Sequence, residues 1–283
     1  MHIALLADIH ANLPALEAVL ADIRNKHRPD QIVSLGDQIN LGPCPRETMQ
    51  LLQKHNVSCL HGNHERYVLS AMAGDSSYSG ANFESLRFNA ARVSAQEITL
   101  PKELRIGHVL LTHAMPGDDR FPVYDPTLAL TKLEEMRFEE PTHIICGHGH
   151  NPLHYRKGNL TLSCLGSLGC MDDGVPGLAT YSLLHIEHGA AVLQPCFVPY
   201  DTRTLKPLFI SSGMSEECPI MAHVICRQMM DNTDYLVPFV TLAREISALK
   251  EEKAVSLTSW QEADARFPWP GRIGTREFWK SQM

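Results

Sequence analysis

The sequence predicts an α/β fold of the α+β sandwich type, in which two mixed β-sheets pack face to face, helices flank them, and a helical C-terminal extension follows. Three observations predict it. Up to about residue 150, short apolar runs alternate with amphipathic helical patterns; from about 153 only glycine-containing turns separate the runs; after Tyr200 the helical pattern returns. Strands that alternate with helices and are followed by hairpins indicate two packed sheets with helices outside.

The first half of the chain carries the alternation of strand and helix. The run 2–7 is short and apolar, as expected of a strand that is buried on both faces. After it, apolar residues recur at the three- and four-residue spacing of one helix face, at Leu13, Leu16, Leu20 and Ile23. The alternation then repeats. We predict strands at 2–7, 31–35, 57–60, 108–112 and 142–146. We predict one helix that begins at Leu13, a second that ends near His55, and two more at 82–93 and 126–137.

Four short apolar runs follow between residues 153 and 198. They lie at 153–157, 159–165, 178–186 and 190–198, and the turns between them contain glycine, as at 157–159, 172–177 and 187–190. Glycine supplies the backbone conformations that hairpin turns need. This part of the chain is therefore predicted to form an antiparallel meander.

Residues 201–283 are predicted to form a helical extension to a domain of residues 1–200. An apolar stripe at helical spacing indicates one of its helices, at Phe239, Leu242, Ile246 and Leu249. All three tryptophans lie in the last 24 residues, at positions 260, 269 and 279. The extension either packs its aromatic residues on the main domain or forms the interface of a homo-oligomer, since aromatic residues are enriched in interface cores. Packing within the chain is the commoner arrangement.

Composition and charge exclude several classes of protein. Of the 283 residues, 44% are hydrophobic and 20% are charged, as in an ordinary globular protein. The formal charge is -7, and no run of five Lys or Arg residues is present, so we expect no nucleic-acid partner. No stretch approaches the roughly 20 apolar residues that span a bilayer, and the apolar run after Met1 is too short for a signal peptide. We expect a cytoplasmic protein with no membrane partner and, because its eight cysteines form no Cys-x-x-Cys pair, no disulfides.

Polar side chains follow five of the predicted strands, at the point where each strand ends. Asp8 and His10 follow the first strand, Asp37 the second, Asn63 and His64 the third, His113 the fourth, and His148 and His150 the fifth. In open α/β sheets, ligands bind at this edge. Clusters that are distant in sequence are therefore predicted to meet in one place.

These side chains offer carboxylate, amide and imidazole ligands and no thiolate, a set that suits divalent ions such as Mn, Fe, Zn, Ni or Co. Taken alone, Asp8-x-His10 or a Gly-Asp pair is more often a helix cap or a polar turn, so the combination carries the prediction. The candidate metal ligands are Asp8, His10, Asp37, Asn63, His113, His148 and His150.

Seven ligands are too many for one ion, whereas two ions that share a carboxylate would use them all. Paired metals roughly 3.5 to 4 Å apart serve displacement reactions at phosphorus. Glycines stand beside the candidate ligands, at Gly36, Gly62, Gly147 and Gly149, and their lack of a side chain allows the backbone to approach closely.

In this order, the motifs resemble those of the calcineurin-like metallophosphoesterase superfamily, and the resemblance covers roughly residues 1–200. It implies a β-sandwich flanked by helices, with Asp37 bridging two metal ions and His64 protonating the leaving oxygen. It also implies that Asp8, His10 and His150 bind one ion and that Asn63, His113 and His148 bind the other.

Residues 36–43 and the Gly166-Ser167-Leu168-Gly169 turn resemble the small prokaryotic phosphodiesterase branch, in which this turn closes the cleft. Protein Ser/Thr phosphatases carry an Asp-Arg pair where this chain has Asn40-Leu41, which counts against a phosphoprotein substrate. The expected function is hydrolysis of phosphodiester or phosphoanhydride bonds in a small phosphorylated substrate such as a nucleotide. The expected mechanism is in-line attack by a hydroxide that bridges the two ions.

Two alternative functions stay open. A phosphomonoesterase, including a protein phosphatase, would need additional cationic groups to clamp a dianionic phosphate. A non-enzymatic binding module on the same fold would show degenerate ligand positions, and in this sequence none is missing. Substrate profiling with a monoester and a diester separates the first alternative from the expected function.

Overall fold

The computed structural model describes residues 1–136, 143–187 and 190–281. Its strands are β1 (His2–Leu6), β2 (Gln31–Ser34), β3 (Ser58–Cys59), β4 (Glu103–Ile106), β5 (Val109–Thr112), β6 (His143–Cys146), β7 (Leu153–Lys157), β8 (Leu160–Cys164), β9 (Leu178–Glu187) and β10 (Ala190–Pro199). Its α-helices are α1 (Leu13–Lys26), α2 (Pro45–Lys54), α3 (Asn63–Met72), α4 (Glu84–Ala90), α5 (Ala95–Ile98), α6 (Pro126–Glu135), α7 (Leu205–Ser211), α8 (Met214–Glu217), α9 (Pro219–Asp231), α10 (Leu236–Leu249), α11 (Leu257–Arg266) and α12 (Thr275–Lys280).

The strands form two mixed five-stranded sheets. The first has the order β10-β9-β1-β2-β3, and the second has the order β4-β5-β6-β8-β7. Strands β1, β2 and β3 run parallel, and so do β5, β6 and β8. The predicted sandwich of two mixed sheets with flanking helices and a helical C-terminal extension is confirmed.

The predicted antiparallel meander is wrong, because its two hairpins join different sheets. The β7–β8 hairpin extends the second sheet, where β8 lies parallel to β6. The β9–β10 hairpin extends the first sheet, where β9 lies antiparallel to β1. Turn residues determine each hairpin locally, whereas its choice of sheet depends on which distant strand offers a free edge. The chain therefore crosses from one sheet to the other between Cys164 and Leu178.

Other predicted elements shift by a few residues or are missing. The helix expected at 82–93 is a 3-10 turn followed by α4. Strand β4 and helices α3 and α5 were not predicted. Residues 137, 142, 188 and 189, which belong to predicted elements or turns, lie outside the described part of the chain.

Strand β1 is buried on both faces, as its continuous apolar run predicts. Ile3 and Leu5 lie in the core between the sheets with residues of β2, β5 and β6. Ala4 and Leu6 face the other way and pack against the apolar stripe of α1. The interior is apolar on both sides of this strand, and the polar residues Asp8 and His10 follow beyond its end.

Helices α7 to α12 form what we call the C-terminal layer, residues 205–280. They share one hydrophobic cluster, to which Leu41 and Phe88 of the preceding part of the chain also belong. Trp260 is completely buried, and its Nε1 donates a hydrogen bond of 3.0 Å to Glu84 Oε1. Leu249 was predicted to complete the apolar stripe of α10, but its side chain is 83% exposed, because the helix ends at this residue.

All eight cysteines are free. In the described part of the chain, every helix is too short or too polar to cross a bilayer.

Candidate metal centre

The loops that leave five strands meet above one end of the sandwich. Three of these strands, β1, β2 and β3, belong to the first sheet, and two, β5 and β6, belong to the second. The site therefore spans both sheets. Five of the predicted ligands on these loops are almost fully buried: Asp8, His10, Asp37, Asn63 and His113. The other two, His148 and His150, are partly exposed.

The Asp37 carboxylate lies at the centre of the site. Its Oδ2 is 3.4 Å from His113 Nε2, 4.0 Å from His10 Nε2 and 3.8 Å from His64 Nε2. Three groups of ligand atoms could each hold a metal ion, because their atoms lie within 4.8 Å of one another. The groups are Asp8 with His10 and His150, His10 with Asp37 and His64, and Asp8 with Asp37 and His113.

Pairs of predicted ligands also lie close together directly. His10 Nε2 and His150 Nε2 are 3.0 Å apart, and His113 Nε2 is 2.8 Å from Asn63 Oδ1. The ring centroid of His148 is 5.2 Å from that of His113, although His148 belongs to none of the three groups. The structure thus brings all seven predicted ligands into one region.

The backbone is left-handed at five of the seven candidate ligands. Positive φ angles occur at Asp8 (52°), His10 (51°), Asp37 (55°), His148 (66°) and His150 (54°). This conformation is rare for residues with a side chain, and sparsely populated conformations cost on the order of 1–3 kcal/mol each. Backbone hydrogen bonds hold the loops in place, including those from the amides of Asp8 and His10 to carbonyl oxygens of 36 and 37. Strain concentrated in this way is typical of functional sites.

Three of the four glycines beside the candidate ligands permit the close approach of these loops, as predicted from the sequence. A Cβ added to Gly36 would lie 2.5 Å from His113 Nδ1, and one added to Gly147 would lie 2.7 Å from Asp8 Oδ2. A Cβ on Gly62 would collide with the Asp37 carboxylate. Gly149 instead abuts Cys164 Sγ, at 2.8 Å, so its space serves core packing.

The turn that was expected to close the cleft packs against the loop after β1. Ser167 Oγ donates a hydrogen bond of 2.7 Å to the Asp8 carbonyl oxygen, and the Gly169 amide donates one of 3.1 Å to the same oxygen. This turn therefore fixes the backbone that carries the Asp8 side chain.

Glu65 organises two of the loops, a role that the sequence analysis did not assign. Its buried carboxylate accepts hydrogen bonds from the amides of Asp37, Gln38, Ile39 and Gly62, at 2.8 to 3.3 Å. Burial raises its pKa to about 7, and the neighbouring Asp37 contributes in the same direction. Glu65 stands at the third position of α3 and accepts from the amide of the N-cap residue Gly62, which is the glutamate half of a capping box.

Asp172 holds the ring of His150 and was also missed. Its Oδ1 is 3.1 Å from His150 Nδ1 and accepts a 3.0 Å hydrogen bond from Gln228 Nε2 of the C-terminal layer. Burial opposes the protonation of His150, but Asp172 and Asp8 raise its pKa to about 9. A carboxylate on the far nitrogen of an imidazole orients the ring toward a metal ion.

Asn40 contacts the Nδ1 atom of His64, as Asp172 contacts that of His150. Its Nδ2 lies 2.7 Å from His64 Nδ1, on the side of the ring away from Asp37. Burial lowers the pKa of His64, and the carboxylate of Asp37 works in the opposite direction. The ring of Tyr67 lies beside His64, with the centroids 5.4 Å apart.

The donor set fits divalent ions. It consists of carboxylate oxygens, an amide oxygen and imidazole nitrogens, which are ligands of Mn, Fe, Co, Ni and Zn. Asp8, His10 and Asp37 each belong to two of the three ligand groups. The site has the chemistry and the proximity of ligands that a metal centre requires.

The sequence matches a known protein family and several known proteins. The family model for calcineurin-like phosphoesterases matches residues 1–175. An uncharacterized protein of Methanocaldococcus jannaschii is 29% identical over 172 residues, which cover 56% of this chain and 67% of that protein. Serine/threonine-protein phosphatase 1 of Salmonella typhimurium is 33% identical over 76 residues, which cover 27% of this chain and 35% of that protein.

A crystal structure of a metallophosphoesterase from Sphaerobacter thermophilus has the same fold. Its TM-score is 0.64 at 23% sequence identity, and the alignment covers 81% of this chain and 99% of that one. The family uses divalent metal ions, and candidate ligands for them are present here. The chain belongs to the calcineurin-like phosphoesterases, a family of phosphoester hydrolases.

Proposed function

We propose that the chain is a dinuclear metal-dependent hydrolase of phosphodiester or phosphoanhydride bonds in small substrates such as nucleotides. The observation that supports this most strongly is the convergence of nitrogen and oxygen ligands around Asp37, with His64 beside the same carboxylate. Metal ligands alone would serve a structural site, but an additional imidazole at the edge supplies a proton donor as well.

Asp37 would be the ligand that both ions share, because its Oδ2 faces imidazoles of both predicted sets. One set would be Asp8, His10 and His150, and the other would be Asn63, His113 and His148. Two bound divalent ions would neutralise charge on the phosphoryl oxygens and acidify a water molecule.

His64 would donate a proton to the leaving oxygen. It would act as the imidazolium, which donates the Nε2 proton on the side facing Asp37 and becomes the neutral imidazole. The side-chain amide of Asn40 lies 2.7 Å from the other ring nitrogen, Nδ1. Asn40 therefore acts as a positioning residue that orients the donor.

The engagement of Arg66 counts against a monoester, whose dianionic phosphate would need a free cation at this position. Arg66, two positions after His64, donates two hydrogen bonds to Asp119, of 2.8 and 2.7 Å, and so is engaged with another carboxylate. A phosphomonoesterase is the second candidate, because the Salmonella relative over 27% of the chain is named a protein phosphatase. A binding module without activity is the third.

The test is hydrolysis by metal-stripped protein to which Mn, Ni, Co or Zn is returned. The substrates are bis(4-nitrophenyl) phosphate as the diester and 4-nitrophenyl phosphate as the monoester. We expect metal-dependent turnover with preference for the diester, and a fall of about 10²- to 10⁴-fold in kcat for His64→Ala, the range of general-acid catalysis. The control is His2→Ala, which removes an exposed histidine at the other end of β1.

A preference for the monoester would move the assignment to a phosphomonoesterase. If the protein binds metal ions but hydrolyses neither substrate with any metal, the chain would be assigned as a binding module without activity. Equal losses in His64→Ala and His2→Ala would remove His64 from the reaction.

A further inference from the structure

A cavity of about 260 Å³ opens beside His64, between the sandwich and the C-terminal layer. Asn40 and His64 form its wall toward the metal centre. Tyr67, Phe83 and Leu86 line it on one side, and Met221, Val240 and Arg244 line it from α9 and α10. The predicted extension therefore contributes part of the surroundings of the candidate proton donor.

The position of His64 determines what this cavity would hold. In the proposed function, His64 protonates the oxygen of the leaving group, so the remainder of that group lies next to the imidazole. Asp37 and the candidate metal ligands occupy one side of the ring, and Asn40 lies at Nδ1. The cavity opens beside the ring next to these groups.

The lining of the cavity suits an aromatic ring. The rings of Tyr67 and Phe83 line the cavity. Tyr78 lies behind them and contacts both rings, with centroid distances of 5.7 Å to Tyr67 and 5.1 Å to Phe83. Aromatic pairs prefer such tilted and edge-to-face arrangements, and the sulfur of Met221 would add a favourable contact with a ring. The volume is slightly below the roughly 300 to 1,000 Å³ of drug-sized sites, which indicates a single ring system.

Arg244 supplies a charged contact, in addition to the polar side chains of Asn82, Ser85 and Thr241. It is exposed, lines the cavity, and has no hydrogen bond or ion pair within the described residues. A free guanidinium beside apolar walls binds carboxylates, phosphates and other acceptors, and it also stacks on aromatic rings. A substituent that accepts hydrogen bonds on the bound ring would therefore have a partner.

We propose that this cavity binds the leaving group of the substrate, and that this group is a planar aromatic ring carrying an acceptor or a negative charge that Arg244 recognises. The inference rests on the proposed function, since it assigns the substrate class of that same site. It also gives the C-terminal layer a role in specificity.

The experiment measures binding of aromatic alcohols to metal-free protein, by calorimetry or ligand-observed NMR, so that no turnover is needed. The probes are benzyl alcohol and 4-(hydroxymethyl)benzoate. The cavity variants are Val240→Trp, which fills the space, and Arg244→Gln. Their controls are Leu249→Trp, at an exposed position on the same helix, and Arg276→Gln, at an exposed arginine of α12.

We expect wild-type protein to bind both probes, and the benzoate about tenfold more tightly, as one charge-assisted hydrogen bond would give. Val240→Trp should bind neither probe. Arg244→Gln is a substitution at an exposed position and leaves the core intact. It should still bind both probes, but without tighter binding of the benzoate. With metal restored, Val240→Trp should raise KM for bis(4-nitrophenyl) phosphate about tenfold, in the range for misfit in an apolar pocket. The two controls should behave as wild type.

Diester hydrolysis by wild-type protein that binds neither probe would overturn the inference and leave the proposed function standing. Unchanged binding of benzyl alcohol by correctly folded Val240→Trp, or an unchanged preference in Arg244→Gln, would also overturn it. Probe binding without any metal-dependent hydrolysis would overturn the proposed function and, with it, the assignment to a leaving group.

Discussion

The left-handed backbone at five of the candidate ligands changes which residue is most stable at these positions. For residues with a Cβ, this conformation costs roughly 1–2 kcal/mol, whereas glycine adopts it freely. His148 has a φ of 66° and is only partly buried, so its replacement creates little cavity. The strain at this residue is thus separable from its packing.

We predict that His148→Gly is more stable than His148→Ala by about 1 kcal/mol in metal-free protein, because only alanine retains the backbone strain. Urea unfolding measures the difference. The control pair is Glu17→Gly and Glu17→Ala at an exposed position within α1, where alanine should be the more stable residue. The same order at both positions would show that His148 is not strained.

Asp172 is expected to act through His150. Its carboxylate orients a candidate ligand, and loss of such a partner typically lowers metal affinity 10- to 100-fold. We predict a decrease of about that size for Asp172→Asn, measured by competition with a chelating dye. Asp173→Asn, at the exposed neighbouring residue, should bind metal as wild type does. Equal affinities in the two variants would refute a positioning role for Asp172.

At the scale of elements, periodicity and motif position predict most of what carries the site. The strands β1, β2, β5 and β6 lie where their apolar runs predict them, and each candidate ligand follows its strand as expected. These features are local, since they depend on residues within one strand and the turn that follows it.

The missed features depend on contacts between distant segments. The two hairpins join separate sheets, and nothing in their own turns distinguishes the sheets. Asp172 contacts His150, 22 positions away, and Gln228, 56 positions away. The cavity beside His64 needs walls from α3, α4 and α10, which sequence patterns cannot place together. The role of Glu65, by contrast, depends partly on a local feature, because this residue lies three positions after the N-cap residue Gly62.

His223 makes the stability of the C-terminal layer dependent on pH. Its ring is stacked between Trp269 and Phe278, with centroids at 4.1 and 4.2 Å, and its Nε2 has no hydrogen-bond partner in the described residues. Burial lowers its pKa to about 3, and the cations Arg227 and Lys206 contribute. In the unfolded chain the pKa of this histidine is near 6.5. Between pH 6.5 and 3, the unfolded chain therefore binds a proton at this residue and the folded chain does not.

The contribution of this group to stability is complete above pH 6.5 and is lost as the pH falls from 6.5 toward 3. We predict that wild-type protein loses up to about 1.4 kcal/mol more per pH unit than His223→Gln in this range, because one more proton binds on unfolding. Urea unfolding at pH 7, 6 and 5 measures both slopes. Parallel slopes would contradict a neutral buried His223.

At the scale of the whole molecule, the C-terminal layer and the sandwich share interactions. Leu41 and Phe88 belong to the cluster of the layer, Glu84 accepts a hydrogen bond from Trp260, and Gln228 reaches Asp172. Each of these contacts would be lost if the layer opened alone. The two parts are therefore expected to stabilise one another.

We predict that they unfold in one transition. All three tryptophans lie in the C-terminal layer, so their fluorescence reports on it alone, while far-UV circular dichroism reports on the entire chain. In urea, the two signals should give the same midpoint, since coincident transitions indicate a single cooperative unit. Separate midpoints would show that the layer folds independently.

The most direct test of the account is the number of metal ions that each chain binds. We predict two divalent ions per chain in wild-type protein, measured by mass spectrometry of the metal content after equilibrium dialysis, and at most one in Asp37→Asn, because Asp37 is the ligand that both ions share in the proposed centre. Two ions in wild type together with that loss would support the dinuclear site. One ion or none in wild-type protein, or two ions retained in Asp37→Asn, would contradict it.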